Sequence, residues 1–408
     1  MRPVARRSLA LLLVLPVVAR VARAQHPVRG TEADAYTRYE LLAPGSGKFK
    51  ILYEVTAVAP GATYYFNPIR KGSVASDESV FDRATGKPLP FSEVGASEAR
   101  AGGARVSDSA QRYIRVTLPR PVPANDGESR VLIVKTYQDP ASYTMKGDTL
   151  VFTRSLGVKR NAVVLPPGYE LVFASYPAQV LQEADGRVGI SFWNTSPAEA
   201  PVTLRAVPNS SRMHGTPPAS AVAARLVERA HQDREIVYEL QQPETHAFDL
   251  YHDYTETRAG VSTYLNVVRP GSSVSRPGGR ILDTGEPLRT EVLKGDAITR
   301  AKLDVSGVTP QSEVVVFRFP PVPAGGSTRL RMSETYTDST RYRLVNDELV
   351  WDRSFGRPLN IVVLPIGWVV TNSTIPAVVS ARADGRVQLE FVNPRLDEIA
   401  VLITARRR

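Results

Sequence analysis

The stretch KTYQDPASYTMKGDTLVFTRSLG (residues 135–157) returns as ETYTDSTRYRLVNDELVWDRSFG (334–356). NAVVLPPGYE (161–170) returns as NIVVLPIGWV (360–369), and ADGRVGISFWN (184–194) returns as ADGRVQLEFVN (383–393). The register holds: Asp139 and Asp338, Arg154 and Arg353, and Gly186 and Gly385 are each 199 residues apart (338 − 139, 353 − 154, 385 − 186). Upstream, Tyr39-Glu40-Leu41 matches Tyr238-Glu239-Leu240 at the same offset. The chain is a tandem duplication, and each unit is large enough to bury a core of its own.

Within the unit the apolar residues alternate. Phe49, Ile51, Tyr53 and Val55 fall on one side of a strand and Lys48, Lys50, Glu54 and Thr56 on the other, the pattern of a sheet with one wet face. The copy carries His252 where the first unit has Tyr53, while Tyr65, Asn67 and Arg70 recur as Tyr264, Asn266 and Arg269. Thr85-Gly86-Lys87-Pro88-Leu89 and Thr284-Gly285-Glu286-Pro287-Leu288 are turns, and Asp185-Gly186 marks a hairpin. Glu93 to Ser109, small and polar, is expected to be a flexible excursion. Strands this short with turns this frequent predict an all-β fold: two tandem antiparallel β-sandwich domains joined by a short helical linker. One large sandwich per repeat is expected; the alternative is two small ones divided near Asn125. Ala219 to Gln232 is the helix candidate, packed between the sandwiches.

The boundaries follow. Residues 1–24 have a basic start (Arg2, Arg6, Arg7), an apolar Leu9 to Val18 and an Ala22-Arg23-Ala24 cleavage pattern, and are expected to be a signal peptide. A Sec signal is favoured; Arg6-Arg7 also fits a twin-arginine signal, and an uncleaved anchor is the rival. Residues 25–38 are expected to be disordered, 39–207 to form the first repeat, 208–236 the linker, and 237–408 the second repeat. No later segment approaches about 18 consecutive apolar residues, so no membrane span is expected after cleavage. An exported protein of the periplasm or the extracellular space is the implied class.

The formal charge of +10 falls to +5 once the five arginines of the signal are removed (46 basic against 41 acidic residues). No basic face with interleaved aromatics stands out, so nucleic acid is not an expected partner. The absence of cysteine excludes disulfides, thiolate metal sites and cysteine nucleophiles. There is no HExxH, no phosphate-binding glycine loop and no GxSxG, and no cofactor is expected. His246 and His252, six apart, would share a face of a continuous strand, but Gly47 and Tyr53 replace them in the first unit, and no metal is expected there.

Candidate site residues are Asp139, Asp148 and Arg154, their copies Asp338, Asp347 and Arg353, and Trp193. Paired carboxylates beside a cation suit acid–base hydrolysis. The favoured role is structural: aspartates at turns bind local backbone, and the arginine ties strands together. The repeated aromatics (Tyr65/Tyr264, Tyr137/Tyr336, Tyr143/Tyr342, Phe152/Trp351, Phe192/Phe391) are expected in the core, with Trp193 the candidate exposed ring. In texture the chain resembles the all-β accessory domains that precede catalytic domains in secreted zinc peptidases, which bears only on the hydrolase alternative. The expected function is that of an exported, non-enzymatic binding or structural protein of a bacterial-type cell envelope, a monomer recognising an envelope protein or a glycan. The alternative is a hydrolase of polysaccharide or peptide using carboxylates in an inter-domain groove.

Overall fold

The computed structural model describes residues 36–196, 198–209 and 227–408. The expected signal peptide, most of the N-terminal segment and the linker stretch 210–226 lie outside these residues, and with them the first eight positions of the expected helix at 219–232. The remainder of that helix, Val227 to Gln232, is an open turn. The carbonyls of Ala230 and His231 there accept bonds from the buried Arg160 guanidinium (3.0 and 3.3 Å), so they need no helical partners.

The first half contains β1 (Tyr36–Leu41), β2 (Lys48–Ala57), β3 (Tyr64–Pro68), β4 (Val74–Asp82), β5 (Phe91–Gly95), α1 (Ala96–Ala101), β6 (Arg112–Thr117) and β7 (Ser129–Gln138). It continues with β8 (Tyr143–Lys146), β9 (Thr149–Leu156), β10 (Arg160–Val164), β11 (Tyr169–Ala174), β12 (Gln179–Gln182), β13 (Val188–Trp193) and β14 (Ala200–Pro208). The second half repeats the series: β15 (Arg234–Leu240), β16 (Ala247–Glu256), β17 (Thr263–Val267), β18 (Ser273–Ile281), β19 (Arg289–Lys294), α2 (Asp296–Arg300), β20 (Glu313–Arg318) and β21 (Thr328–Thr337). Then come β22 (Tyr342–Val345), β23 (Glu348–Phe355), β24 (Leu359–Val363), β25 (Trp368–Ser373), β26 (Val378–Ala381), β27 (Val387–Val392) and β28 (Ile399–Arg407).

The two halves have the same sheet order. A seven-stranded backing sheet runs β12-β13-β10-β1-β2-β7-β4, matched by β26-β27-β24-β15-β16-β21-β18. A four-stranded sheet (β11-β14-β9-β8; β25-β28-β23-β22) and a three-stranded sheet (β3-β6-β5; β17-β20-β19) complete each half. All are open sheets, and the chain is all-β with two similar tandem halves. Pairing is antiparallel with one correction per half: β1 runs parallel to β10, and β15 to β24.

Neither expected layout of the sandwich is complete by itself. β2 and β7 are ten residues long, and each presents one largely buried face along its whole length. Phe49, Ile51 and Tyr137 pack with Phe152, Leu204 and Phe192 under the four-stranded sheet. Val55, Val131 and Ile133 pack with Ile114 and Val116 under the three-stranded sheet. One backing sheet thus carries two smaller sheets on the same face. Tyr53 lies at the seam and touches both clusters. In the second half a single cluster runs through both layers.

The polar stretch from Val74 to Asp82 is also a strand. It is the edge of the backing sheet, bulged between Ser76 and Ser79, which hides its alternation. Glu93 to Ser109 is not a plain excursion, because it holds the end of β5 and the helix α1, whose Ala99 is fully buried.

The halves clamp each other reciprocally through the turn after β4 or β18 and the loop before β7 or β21. The Glu128 amide donates to the Leu282 carbonyl (2.8 Å) and the Ser327 amide to the Ala84 carbonyl (3.2 Å), related positions 199 apart (327 − 128). Arg130, 1% exposed, holds the Asp283 carboxylate with two bonds (2.7 and 2.9 Å) and also reaches Ser327. Asn125, the expected divider of two small sandwiches, is in this loop instead, its carbonyl bound by Arg280.

A side chain at Gly326 would put its Cβ 2.3 Å from the Ala84 carbonyl oxygen. Gly326→Ala is therefore expected to lower stability by about 1–3 kcal/mol, read from the urea midpoint; an unchanged midpoint would remove this contact from the clamp. Glu128 beside it is also 1% exposed. Burial pushes its carboxyl up to about 8, with Asp253 and Asp283 adding to the shift and Arg329 and Arg130 opposing it. The folded state thus binds this proton more tightly than the unfolded chain, so the contribution is complete below the unfolded value and is lost as pH rises through about 8. Glu128→Gln should gain on the order of 2 kcal/mol above pH 8 and nothing at pH 5, measured by thermal melts across that range.

Candidate functional site

The structure separates the aspartates picked out in the sequence. Asp139, just after β7, is buried; it accepts the Ser142 amide (3.1 Å) and hydroxyl (2.7 Å), the Ser73 hydroxyl (3.3 Å) and the Arg154 guanidinium (2.9 Å). Burial opposes ionisation, but these donors outweigh it and hold the carboxyl below its usual range. Arg154 comes from β9 of the covering sheet, and its guanidinium lies among the rings of Tyr39, Phe49 and Tyr137 at 5.5–5.8 Å. The pair ties the four-stranded sheet to the backing sheet. Asp338 and Arg353 repeat it at 3.2 Å, with Ser272 on the carboxylate. Asp148 and Asp347 lie apart from these pairs, exposed at the tips of the β8–β9 and β22–β23 hairpins. Trp193 is half-buried at the end of β13, opposite Arg160. Of the five repeated aromatic pairs, all but the half-buried Tyr65 and Tyr264 are in the core. His246 precedes β16 in a left-handed conformation and bonds the Tyr342 carbonyl (2.9 Å), so it shares no strand face with His252. Among the described residues no group of three or more histidines and carboxylates converges as a metal site.

Two concave sites stand out among the described residues. One is an open groove of about 530 Å³ on the first half. Tyr64 and Phe66 of β3 and Tyr113 of β6 wall it, and Arg105, Ser107 and Gln111 from the loop after α1 add polar groups. Tyr64 and Phe66 have ring centroids 6.2 Å apart, Phe66 and Tyr113 6.5 Å apart. Tyr64 is 40% exposed, and the Arg115 guanidinium lies 5.4 Å from its ring. β3 places Tyr64 and Phe66 outward by simple alternation, while Tyr65 turns to the core seam. The second half has Thr263 and Leu265 at these positions.

The other is a more enclosed pocket of about 390 Å³ at the seam of the second half. Here His252 stands in place of Tyr53, and Glu334 in place of Lys135. In the first half Lys135 donates to the Asn67 carbonyl oxygen (2.6 Å). In the second, Asn266 turns the opposite end of its amide and donates to Glu334 (2.6 Å) and to the Tyr336 hydroxyl (3.0 Å). Burial pushes the Glu334 carboxyl up to about 7, against the bonds from Asn266 and Tyr336 and with help from Glu313. Burial also holds His252 well below its usual range, reinforced by Arg357, Arg234 and Arg329, so the imidazole is neutral. The Tyr264 hydroxyl takes bonds from Arg234 (3.1 Å) and Arg357 (3.5 Å). The Tyr–Asn–Arg recurrence of the sequence marked this place. The exchange of Lys135 for Glu334 at one register position was the further signal available.

No protein-family model matches the chain, and no curated protein matches it in sequence. Among solved structures, a mutant M1 zinc metallopeptidase from Deinococcus radiodurans aligns over 43% of this chain and 41% of its own, with 14% identity and a TM-score of 0.28. The chain thus spans about two fifths of that protein's length. The collagen adhesin of S. aureus aligns over 77% of this chain and 81% of its own, with 8% identity and a TM-score of 0.16. The collagen-binding domain of the Erysipelothrix rhusiopathiae surface protein RspB covers 90% and 93%, with 9% identity and the same TM-score of 0.16. Scores this low establish no common fold.

Asp139→Ala would leave Arg154 buried without its carboxylate. A loss of about 3–5 kcal/mol is expected, with the same sign for Asp338→Ala, seen as a fall in melting temperature. Retained stability would show that the pair does not hold the sheets together.

Proposed function

We propose that this protein is an exported, non-enzymatic binding module of the cell envelope that recognises a glycan through the open groove of its first half. The aromatic wall carries the proposal. The exposed Tyr64 and the half-buried Phe66, 6.2 Å apart with Tyr113 packed against Phe66 at 6.5 Å, stand beside arginine, serine and glutamine side chains and offer apolar faces to a sugar ring and hydrogen bonds to its hydroxyls. The signal-like first 24 residues support export, to the periplasm or beyond the cell. No helix among the described residues is long and apolar enough to cross a membrane. The hydrolase alternative draws no support from the duplicated aspartates. Asp139 and Asp338 each bind an arginine of their own half, and the hairpin-tip aspartates stand apart.

The test is a glycan array with the mature chain, followed by titration of the strongest ligand. Tyr64→Ala removes an exposed ring and should leave the fold intact while weakening binding about tenfold, or about 1.4 kcal/mol. Failure to bind any glycan, or binding indifferent to Tyr64, would overturn the proposal.

A further inference from the structure

We propose that the seam pocket of the second half is a separate binding site for a small hydroxylated carboxylate of monosaccharide size, such as a sugar acid. Three observations lead there. The first is an uncompensated positive charge. Arg357 lines the pocket and, among the described residues, neither it nor Arg234 has a carboxylate partner; both direct their guanidinium groups to the Tyr264 hydroxyl. The other two arginines lining the pocket are matched, Arg353 by Asp338 and Arg269 by Glu398 at 3.0 Å. Two arginines drawn together in partly desolvated surroundings repel each other, and an anion between them relieves both. In keeping with this, burial and then the charge of Arg357 hold the Arg234 guanidinium below its usual range.

The second observation is a set of buried polar atoms without partners in the same pocket. Glu334 is 3% exposed, Arg353 5% and His252 6%. Glu334 Oε1, Arg353 Nε and His252 Nε2 have no hydrogen-bond partner among the described residues. A buried polar atom left unpaired destabilises the fold, and its retention calls for something that pairs with it. The three atoms offer acceptors and donors of the kind that hydroxyl groups satisfy. The pocket volume of about 390 Å³ sets the size of the ligand.

The third is the other copy. Tyr53, Lys135 and Val158 occupy the positions of His252, Glu334 and Arg357, each 199 residues earlier. The first half fills its seam with Tyr53, pairs Lys135 with Asn67, and has no guanidinium at position 158. The same scaffold is therefore stable without these groups, and their presence in one half only marks a specialisation.

The test is calorimetric titration of the full mature chain with glucuronate, glucose and inorganic phosphate. Glucuronate is expected to bind at least tenfold tighter than glucose or phosphate. Arg357→Gln should abolish that preference. His252→Tyr, which refills the seam as in the first half, should abolish binding while keeping or raising the melting temperature. Tyr64→Ala, in the groove of the other half, should leave glucuronate binding unchanged. That control separates failure of this proposal from failure of the groove. Equal affinity for glucose and glucuronate, tighter binding of phosphate, no binding of any of the three, or a preference that survives Arg357→Gln would overturn it.

Discussion

The constraint on which the structure rests is one long strand pair shared by two covers. A ten-residue strand extends about 33 Å, and its two ends pack under different small sheets. β2 and β7, like β16 and β21, therefore each serve two covering sheets. Where the two covers meet, the backing strands present a side chain that belongs wholly to neither core. The first half puts a tyrosine there, large enough to touch both clusters. The second puts a smaller histidine there, and a pocket lined by polar groups opens at that seam. The most individual feature of the molecule thus follows from a few exchanges at the seam, His252 for Tyr53, Glu334 for Lys135 and Arg357 for Val158.

The arginine–carboxylate pairs act at two levels. Within a half, Arg154 with Asp139, and Arg353 with Asp338, reach across the core from the covering sheet to the end of a backing strand. Between halves, Arg130 reaches Asp283, and the end of the linker is held by Arg160 and Arg329 through Asp233. Such buried pairs add less net stability than an apolar contact would, because both charges lose water, yet removing one partner is costly. Their effect here is to fix how layers and halves meet. Arg130 and Arg329 are equivalent in sequence but take different partners, so the clamp is only approximately symmetric.

Gly86 and Gly285 show how a local feature acquired a second duty. Both are turn residues with positive φ, as their sequence context requires. In the fold each also faces the other half: a Cβ on Gly86 would meet the Gly325 carbonyl at 2.4 Å, and one on Gly285 would meet Pro123 at 3.2 Å. No pattern in the sequence announces the second duty, because the partner is about 160–240 positions away. The edge strand β4 and the helix α1 escaped for a related reason. A bulge and a polar composition remove the period-two alternation of β4, and α1, at six residues, is too short to show a helical period. The groove was equally hidden, since Tyr64 and Phe66 become its wall only once α1 and the loop behind it fold over β3.

By itself the sequence determined the class of structure. Repetition at a constant offset guarantees two like units, and alternation with frequent turns requires strands, because these are local properties of the chain. It also offered Arg154 as a tie between strands near a turn aspartate, since Asp139 at a turn and Arg154 on β9 recur together. Only the tertiary structure decided that one sheet backs two others, that a parallel pair joins β1 to β10, and that repeated glycines clamp the halves. It alone decided which polar residues gather at the seam. The physical reason is that each of these depends on side chains brought together from distant segments, and burial assigns an unpaired carboxyl or guanidinium its meaning only after that gathering has happened.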